Sequence, residues 1–384
     1  MEARRVLHLI DTGGPGGAET IFLDLAEGLP AERWESKCVI PWADDWLHRA
    51  AMARGLSTVV VESGGAFDIS YLYSLHKLIR EFRPHVIQTH LLTTAVYASI
   101  LGRVWGLPVV STFHGRVDLL KDERFRCMKL WLMDRPLNRA VMVSQSLLSS
   151  FLKSDRFISP WRCRVVRNGV QFDSQPSLQV RAAWRERLGV GRDSVLIGAV
   201  GNLRASKDYE TLVRAAACAL GGDGPDLRFV VAGEGSGPLR QRLVELIDEL
   251  ELGDRVRLLG FVDDVRGLLS GLDIYVLSSS AEGFSLSTVE AMAAGLPVVV
   301  TRSGGPEEIV RHGLDGRLVD PRDPLALSEE ILRLARSPQE RTRLGAEAAT
   351  SVRRRFSMER MIHGYERIYE EVLGLESPTD APTA

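Results

Sequence analysis

The chain of 384 residues contains little cysteine, and its cysteines do not form a recognisable pattern. The four lie far apart, with no C-x-x-C pair and no histidine cluster beside them: Cys38, Cys127, Cys163 and Cys218. This spacing suggests neither a disulfide framework nor a zinc site. It fits a reducing compartment best, so we expect a cytoplasmic protein.

Long apolar runs and a large net charge are also missing. No segment reaches about 18 uncharged apolar residues, and the first apolar stretch, RVLHLI, meets Asp11 too soon for a signal peptide. The formal net charge of -2 argues against a nucleic-acid partner. Residues 1–172 carry 22 Lys and Arg against 17 Asp and Glu, and the rest carry 26 against 33. The first half could therefore face an anionic partner.

The sequence does contain a regular alternation of short apolar runs and amphipathic segments of helical period, which is typical of β-α-β units in parallel sheets. Seven apolar runs precede residue 174 and six follow it, with the turn-rich stretch NGVQFDSQPSLQV between them. We predict an α/β fold of two Rossmann-like, doubly wound domains, residues 1–174 and 175–356. Ligands bind beyond the carboxyl ends of parallel strands, so a cleft between the domains is the expected site.

The C-terminal stretch SMERMIHGYERIYEEVLGL places apolar residues at helical spacing. It predicts a helix over residues 357–374 that packs one face against an unidentified partner, for which the first domain is a candidate. Residues 375–384, LESPTDAPTA, offer few groups able to bury surface. They are predicted to form a disordered tail.

Two motifs follow predicted strands of the first domain. In DTGGPGGAE, Gly16 and Gly17 precede a predicted helix and allow the backbone to approach an anion. Glu19 stands where a dinucleotide fingerprint would need its third glycine, which makes an NAD site improbable. His114, in STFHG, follows another strand. For both motifs, a purely structural role is about as well supported as ligand binding.

In the second domain, two cations follow the first strand. The segment GNLRASKDYETL carries Arg204 and Lys207 just before a helix. There the two-pronged guanidinium of the arginine and the ammonium group of the lysine could hold a pyrophosphate. A solvated basic loop is the alternative. We favour the pyrophosphate role because the start of a helix ordinarily prefers acidic residues.

The segment SSSAEGFSLSTVEAMAAGLPVVVT combines two glutamates with small residues. Ser285 and Ser287 are candidate N-caps of a helix whose first amides could receive phosphate oxygens. Glu282 precedes this helix. Glu290, one turn inside it, could accept hydrogen bonds from vicinal hydroxyls such as those of ribose. The preference of helix starts for acidic residues explains one glutamate but not the whole combination.

Taken in order, these motifs resemble the retaining glycosyltransferases of family 4, whose two-domain fold is called GT-B. The resemblance covers nearly the whole chain: GGPGGAE, FHG, NGV, GNLRASK, VAGEG, LGFVDDV, EGFSLSTVE, GLPVVVTRSGGPEEIV and HGLDGRLVDP. Two glutamates with seven intervening residues are that family's best-known signature. The resemblance implies an enzyme that moves a hexose or N-acetylhexosamine from a nucleotide diphosphate, most often UDP, to a glycan or lipid-linked saccharide.

The resemblance also implies roles for individual residues. Glu290 would bind the ribose and Glu282 the donor sugar. Arg204 and Lys207 would neutralise the departing diphosphate, and His114 would touch the sugar from the first domain. The other nucleotide-sugar contacts would come from Gly16, Gly17, Asn202, Gly233, Gly235, Phe261, Val262, Gly283, Phe284, Ser285 and Leu286. The amides of the last four would hold the pyrophosphate. Asn202 stands where many relatives have arginine, and Asp208 where glycine is common.

No D-x-D motif stands at a suitable strand end, so we expect metal independence, with no cofactor besides the nucleotide-sugar co-substrate. Preorganised amides and cations can stabilise the leaving diphosphate without a metal. Residues 121–137, KDERFRCMKLWLMDRPL, form a basic amphipathic segment that could lie on an anionic membrane. That would place the enzyme peripherally on the inner face of the membrane. A helix packed on its own sheet is the alternative.

Two other functions remain open. The same fold could serve a nucleotide-sugar epimerase or hydrolase, which would turn over without an acceptor. The chain could also be a catalytically silent subunit that binds a nucleotide sugar. The presence of Glu282, Lys207, Glu290 and His114 together argues against the silent subunit.

Overall fold

The computed structural model describes residues 2–63, 68–115, 126–134, 137–154, 158–172 and 177–375. The chain divides into two compact units, Met1–Gly169 with Met358–Ala384, and Val170–Ser357. The predicted boundary near residue 174 and residues 376–384 of the predicted tail lie outside the described residues.

In the described residues of the first unit, seven strands alternate with six helices. The strands are β1 (Arg4–Leu9), β2 (Trp34–Ile40), β3 (Thr58–Val60), β4 (Val86–His90), β5 (Val109–Phe113), β6 (Leu137–Met142) and β7 (Cys163–Val165). The helices are α1 (Gly17–Gly28), α2 (Trp46–Ala53), α3 (Ile69–Phe82), α4 (Leu92–Trp105), α5 (Arg126–Asp134) and α6 (Gln145–Ser154). All strand pairs are parallel, in the order β3-β2-β1-β4-β5-β6-β7.

The second unit repeats the plan with six strands. They are β8 (Val195–Val200), β9 (Leu227–Ala232), β10 (Val256–Gly260), β11 (Ile274–Leu277), β12 (Val298–Thr301) and β13 (Arg317–Val319). The helices are α7 (Leu178–Arg187), α8 (Tyr209–Leu220), α9 (Pro238–Glu249), α10 (Val265–Gly271), α11 (Leu286–Ala293), α12 (Pro306–Ile309), α13 (Pro324–Arg336) and α14 (Pro338–Arg355). The strand order is β10-β9-β8-β11-β12-β13, again all parallel.

The predicted α/β architecture of two doubly wound parallel sheets is confirmed, and each of the thirteen predicted strand segments contains a strand. The strands read as apolar runs because helices cover both faces of such a sheet. In the second unit this core is continuous, with Ile197, Phe229 and Val276 at most 1% exposed. Among the described residues, no helix is both long enough and apolar enough to cross a membrane.

The C-terminal helix α15 (Met358–Leu373) belongs to the first unit and completes a buried polar network there. Gln88 on β4 donates to Thr112 on β5 at 3.0 Å. The Tyr365 hydroxyl lies 3.0 Å from Thr112 Oγ1, and the Tyr369 hydroxyl donates to Gln88 Oε1 at 3.1 Å. Because buried polar groups require such partners, the sheet and the helix determine each other's position.

Glu366 anchors the same helix at a second point. Its buried carboxylate accepts hydrogen bonds from Arg33 at 2.7 Å and from Trp34 Nε1 at 2.9 Å. We expect Glu366→Ala to lower the free energy of unfolding by about 2 kcal/mol, because the Trp34 donor then stays buried without its acceptor. Urea unfolding measures this loss. Glu359→Ala, at an exposed position of the same helix, is the matched control, and an equal loss in both variants would contradict the assignment.

Candidate functional site

The residues predicted to bind the donor in the second unit follow four neighbouring strands. Asn202, Arg204 and Lys207 follow β8, while Gly233 and Gly235 follow β9. Phe261 and Val262 follow β10, and the segment 282–290 follows β11. These strands are adjacent in the order β10-β9-β8-β11. The loops therefore meet at the carboxyl edge of one sheet, where ligands of open parallel sheets bind.

At this edge Lys207 and Glu282 form an ion pair. Lys207 Nζ lies 2.7 Å from Glu282 Oε1, and Ser279 Oγ donates to the same oxygen at 2.6 Å. The two charged side chains are only 16% and 13% exposed. The structure thus brings together two residues predicted from separate motifs, 75 positions apart. A pair at the end of adjacent strands keeps its charges close to an incoming ligand.

The loop that follows β12 holds the backbone of Glu282, at the start of the predicted pyrophosphate-binding segment. Glu282 N donates to Ser303 O at 2.8 Å, and Gly305 N donates to Glu282 O at 3.2 Å. The Phe284 ring is 2% exposed and packs edge-on against Phe356, with ring centroids 5.4 Å apart. The four predicted pyrophosphate amides, those of residues 283–286, therefore lie on or beside a segment held by backbone hydrogen bonds and by a buried ring.

Of the two predicted N-cap candidates of α11, Ser285 does occupy the N-cap position, but neither serine side chain caps the helix. Ser285 occupies the N-cap position with φ +90°, but its hydroxyl lies 2.7 Å from Thr288 Oγ1 and does not cap the helix. Ser287 lies inside the first turn, where it accepts a hydrogen bond from the Tyr275 hydroxyl at 2.8 Å. A non-glycine residue in the left-handed region costs on the order of 1–3 kcal/mol and is often found at ligand sites.

Tyr275 interacts electrostatically with both signature glutamates. It lies on β11, is fully buried, and burial raises the pKa of its hydroxyl. The carboxylates of Glu282 and Glu290 raise this pKa further, because an ionised tyrosine beside them would be repelled. Both carboxylates therefore act on one buried hydroxyl, and the Tyr275 phenol stays protonated.

The glycines at 233 and 235 have a packing role. A Cβ on Gly233 would lie 2.0 Å from Gly201 O, and one on Gly235 would lie 2.3 Å from the Leu203 side chain. Asn202 Oδ1 joins the same two loops by accepting from Glu234 N at 3.1 Å. Close contact between the β8 and β9 loops thus accounts for both glycines, and their predicted contact with the nucleotide stays a prediction.

Arg204 lies apart from the ion pair. It is exposed and lines a small depression with Tyr209, Leu239 and Leu243. Among the described residues, no hydrogen bond or ion pair joins its guanidinium to Lys207 or Glu282. Asp208 adopts φ +47°, in the left-handed region that glycine occupies at no steric cost. Phe261 is 47% exposed, so its ring can be reached by a ligand.

In the first unit, His114 lies directly after β5 and pairs with another histidine. His114 Nε2 is 2.9 Å from His90 Nδ1, and burial lowers the pKa of His114 to about 4. Gly16 precedes α1, and a Cβ there would lie 2.4 Å from the Glu19 carboxylate, whereas Gly17 has open space at this position. A side chain at position 16 would therefore displace the Glu19 carboxylate, whereas one at position 17 would meet no neighbour.

Several polar residues near these positions were not predicted from the sequence. Asp11 follows β1, and its pKa is raised mainly by burial and slightly by Glu19, while a hydrogen bond from Thr93 and the charge of Lys129 oppose the rise. Glu19 and Lys129 are each 6% exposed. The position of Asp11 at a strand end was the one available signal. The influence of the Lys129 charge on Asp11 depends on packing that the sequence does not reveal.

Lys129 bears on the alternative for residues 121–137, in which the helix packs on its own domain. Its ammonium group lies in the interior of the unit, and Leu130 and Met133 are buried beside it, so this part of α5 packs on its own domain. Trp131 is 65% exposed and Met128 40% exposed. Residues 121–125 and 135–136, with most of the predicted cations, lie outside the described residues. Among the described residues, no group of three or more histidine, cysteine, aspartate or glutamate side chains could hold a metal ion.

Comparison with known proteins places these features in a family. Residues 15–174 match the family model Glycosyltransferase Family 4, and residues 180–351 match the model Glycosyl transferases group 1. The putative glycosyltransferase EpsD of Bacillus subtilis (strain 168) is 31% identical over 322 residues, covering 81% of this chain and 82% of that protein.

Two further proteins resemble the chain along most of its length. UDP-Gal:alpha-D-GlcNAc-diphosphoundecaprenol alpha-1,3-galactosyltransferase of Escherichia coli is 26% identical over 317 residues, covering 80% of this chain and 81% of that protein. The crystal structure of Anabaena Alr3699/HepE in complex with UDP and glucose superposes with a TM-score of 0.85 at 21% identity, covering 94% of this chain and 98% of that one. The chain therefore belongs to the family 4 glycosyltransferases and has the GT-B fold.

Proposed function

We propose that this glycosyltransferase is a retaining enzyme that moves a hexose or N-acetylhexosamine from a UDP-sugar to a glycan or lipid-linked saccharide without a metal ion. The observation that carries the proposal is the ion pair of Lys207 and Glu282, 2.7 Å apart, at a point where two hydrogen bonds from the loop after β12 hold the Glu282 backbone. A departing diphosphate needs a cation and preorganised amides at one place. The retention of configuration at the transferred sugar is proposed from the family resemblance. In such a reaction the diphosphate leaves and the acceptor attacks on the same face of the sugar.

Each residue at this edge has a part in the proposed reaction. Glu290 accepts hydrogen bonds from the ribose hydroxyls, and the amides of residues 283–286 receive the pyrophosphate oxygens. Lys207 Nζ stabilises the negative charge that grows on the leaving oxygen, while Glu282 holds Lys207 in place and contacts the sugar. The low exposure of the pair strengthens these electrostatic interactions, because little water screens them.

The donor and the acceptor are proposed from the relatives. The E. coli protein is named for a UDP-galactose donor, and the Anabaena protein was crystallised with UDP and glucose. The E. coli name also specifies an acceptor saccharide on diphosphoundecaprenol, which is a lipid carrier. These names support UDP as the nucleotide and a lipid-linked acceptor for this chain. For an acceptor of this kind we further propose a peripheral location on the inner face of the membrane.

The donor proposal predicts that sugars of one nucleotide class stabilise the protein against thermal unfolding. In a thermal-shift screen of UDP-, GDP- and ADP-sugars, run with and without EDTA, we expect a UDP-sugar to raise the melting temperature in both conditions. Glu290→Ala should abolish most of the shift, because buried hydrogen bonds to charged groups contribute about 1.5–3 kcal/mol each.

Glu347→Ala on α14 is the matched control, since Glu347 is exposed and remote from β11 in the sequence. It should keep the whole shift. Indifference of the wild-type protein to all three nucleotide classes would contradict the proposed donor site. A shift that disappears with EDTA would contradict metal independence alone, and turnover of the UDP-sugar without any acceptor would favour a hydrolase or epimerase.

A further inference from the structure

Ser279 places a buried hydroxyl group beside the ion pair of Lys207 and Glu282. It lies two residues after the end of β11 and is 0% exposed. Its Oγ donates to Glu282 Oε1 at 2.6 Å, and Lys207 Nζ lies 2.7 Å from the same oxygen. Two donors therefore converge on one oxygen of the carboxylate, and all three residues belong to the second unit.

The two oxygens of the Glu282 carboxylate have different surroundings. Each carboxylate oxygen accepts about two hydrogen bonds, so Ser279 and Lys207 together occupy Oε1. Oε2 accepts no hydrogen bond from the described residues, and it is not one of their fully buried unpaired atoms. The Glu282 side chain is 13% exposed. The carboxylate thus bonds to the protein through Oε1 and keeps the acceptor positions of Oε2 for a ligand.

The backbone around Ser279 is tied to two neighbouring segments. Thr301, at the end of β12, is 1% exposed, and its Oγ1 donates to Ser279 O at 2.6 Å. The preceding residue, Ser278, donates through Oγ to Lys207 O at 2.9 Å. These bonds hold the serine segment against β12 and against the loop that carries Lys207. The Ser279 hydroxyl therefore has a fixed position relative to the ion pair.

Lys207 alone would not fix the orientation of the Glu282 carboxylate. The terminal torsion of a glutamate side chain is broad and roughly two-fold, and an ammonium group acts as a point charge that either carboxylate oxygen can approach. The Ser279 hydroxyl removes this freedom, because its hydrogen bond requires Oε1 at one place. The direction of Oε2 is then set before a ligand binds, and such preorganisation lowers the cost of binding.

We propose that Ser279 is a positioning residue that holds the Glu282 carboxylate through Oε1, so that Oε2 accepts a hydrogen bond from one hydroxyl group of the donor sugar. This inference rests on the proposed function, in which Glu282 contacts that sugar. A carboxylate oxygen accepts hydrogen bonds and does not donate them. The site therefore selects a sugar with a hydroxyl group at this position over the corresponding deoxy-sugar, which leaves the oxygen unpaired.

Calorimetric titration tests the role of Ser279 without any acceptor. The probes are UDP-glucose, UDP-galactose and UDP-N-acetylglucosamine, and free UDP is the internal reference because it lacks the sugar. We expect Ser279→Ala to weaken binding of the preferred UDP-sugar about tenfold and binding of UDP less than about twofold. Equal losses for both ligands would indicate a purely structural role and overturn the proposal, and so would an unchanged affinity for the UDP-sugar.

A double variant determines whether Ser279 acts through Glu282. In a Glu282→Ala background no carboxylate is left to position, so Ser279→Ala should cause no further loss of UDP-sugar affinity. A second loss of about tenfold in that background would show that the serine acts independently of the glutamate, which contradicts the positioning role.

Deoxy derivatives of the preferred UDP-sugar identify the hydroxyl group that Oε2 accepts. One of them should bind the wild-type protein about tenfold more weakly than the parent sugar, and this difference should shrink in Ser279→Ala. If no derivative binds more weakly than the parent, Oε2 receives no hydroxyl group of the sugar and the proposal is wrong.

Ser280→Ala is the matched control. Ser280 Oγ lies 3.3 Å from Ser206 O, which also accepts a hydrogen bond from Ser280 N at 2.8 Å. The variant therefore removes a neighbouring hydroxyl group but keeps the backbone bond and both partners of Glu282. It should bind UDP and the UDP-sugar within about twofold of wild type. A loss as selective for the UDP-sugar as that of Ser279→Ala would contradict the assignment to Ser279.

Crystal structures without ligand separate this proposal from the proposed function. In Ser279→Ala we expect the Glu282 carboxylate to turn about its terminal torsion, so that Oε2 also approaches Lys207 Nζ. An unmoved carboxylate would overturn the positioning role. If the wild-type protein binds neither UDP nor any of the three UDP-sugars, the proposed function fails, while this comparison still decides whether Ser279 orients Glu282.

Discussion

Turnover of the Lys207→Met variant should fall by about three orders of magnitude, while the affinity for free UDP falls much less. Methionine keeps most of the unbranched stem but removes the charge that stabilises the departing diphosphate, and a single preorganised donor of this kind is worth about 10²–10³ in kcat. Loss of the cation also leaves the 13% exposed Glu282 carboxylate with Ser279 as its other described partner. Steady-state kinetics gives kcat, and calorimetric titration gives the UDP affinity.

The chain itself offers a stricter variant, Lys207→Arg. Residues 154–384 contain 29 arginines and Lys207 as their one lysine. Arginine is therefore the usual basic residue in this part of the chain, and lysine at position 207 is an exception to that usage. A Cβ on Gly201 would lie 2.9 Å from Lys207 Cε, which shows how closely the β8 loop encloses the stem. Arginine keeps the charge but adds a planar fork that needs more room. We expect an intermediate kcat, above Lys207→Met and below wild type.

Glu282→Gln completes the comparison. It keeps the shape and one acceptor oxygen but removes the charge, so it should lower kcat more than it lowers UDP affinity. Because Lys207 and Glu282 are in contact, the losses in the double variant should not add. Equal losses of kcat and UDP affinity in Glu282→Gln would show that the glutamate binds the nucleotide and does not assist the chemistry. Strictly additive losses would show that the ion pair has no functional coupling.

The sequence predicts the architecture well because local patterns determine it. Apolar runs such as PVVVT become buried parallel strands, and the loops after them reach the site because all parallel strands end at the same edge. The approach of Lys207 to Glu282 follows from this rule, since β8 and β11 are neighbours in the sheet. These inferences need strand order but no knowledge of side-chain packing.

Other features depend on packing between distant residues, which a single sequence does not encode in readable form. His90 and His114 meet because of strand register, and Lys129 turns into the interior because of how α5 packs on its domain. The serine side chains do not cap α11, for a different reason. Ser285 has the composition of a cap, but its backbone is held in the left-handed region and its hydroxyl bonds to Thr288. At this position the backbone conformation of the loop overrides the preference of serine for capping a helix.

Gly305→Ala should strongly destabilise the second unit and disturb the candidate site. Gly305 has an ordinary φ of -63°, so its role is steric and not conformational. An added Cβ would lie 2.4 Å from Phe284 Cα and 2.6 Å from Phe284 N and O, and a backbone cannot move aside as a flexible side chain can. We expect the free energy of unfolding to fall by about 3 kcal/mol, at the upper end of overpacking costs. Urea unfolding measures this quantity.

The functional consequence follows from the same contact. Movement of Phe284 displaces the amides of residues 283–286 and breaks the hydrogen bond from Gly305 N to Glu282 O, so the melting-temperature shift produced by a UDP-sugar should disappear even in the fraction that folds. Gly222→Ala is the matched control, because nothing lies within 4 Å of the added Cβ; it should change neither quantity by much. A Gly305→Ala protein with wild-type stability and an intact UDP-sugar shift would show that the loop after β12 does not hold the diphosphate-binding segment, and the structural basis of the proposed reaction would be lost.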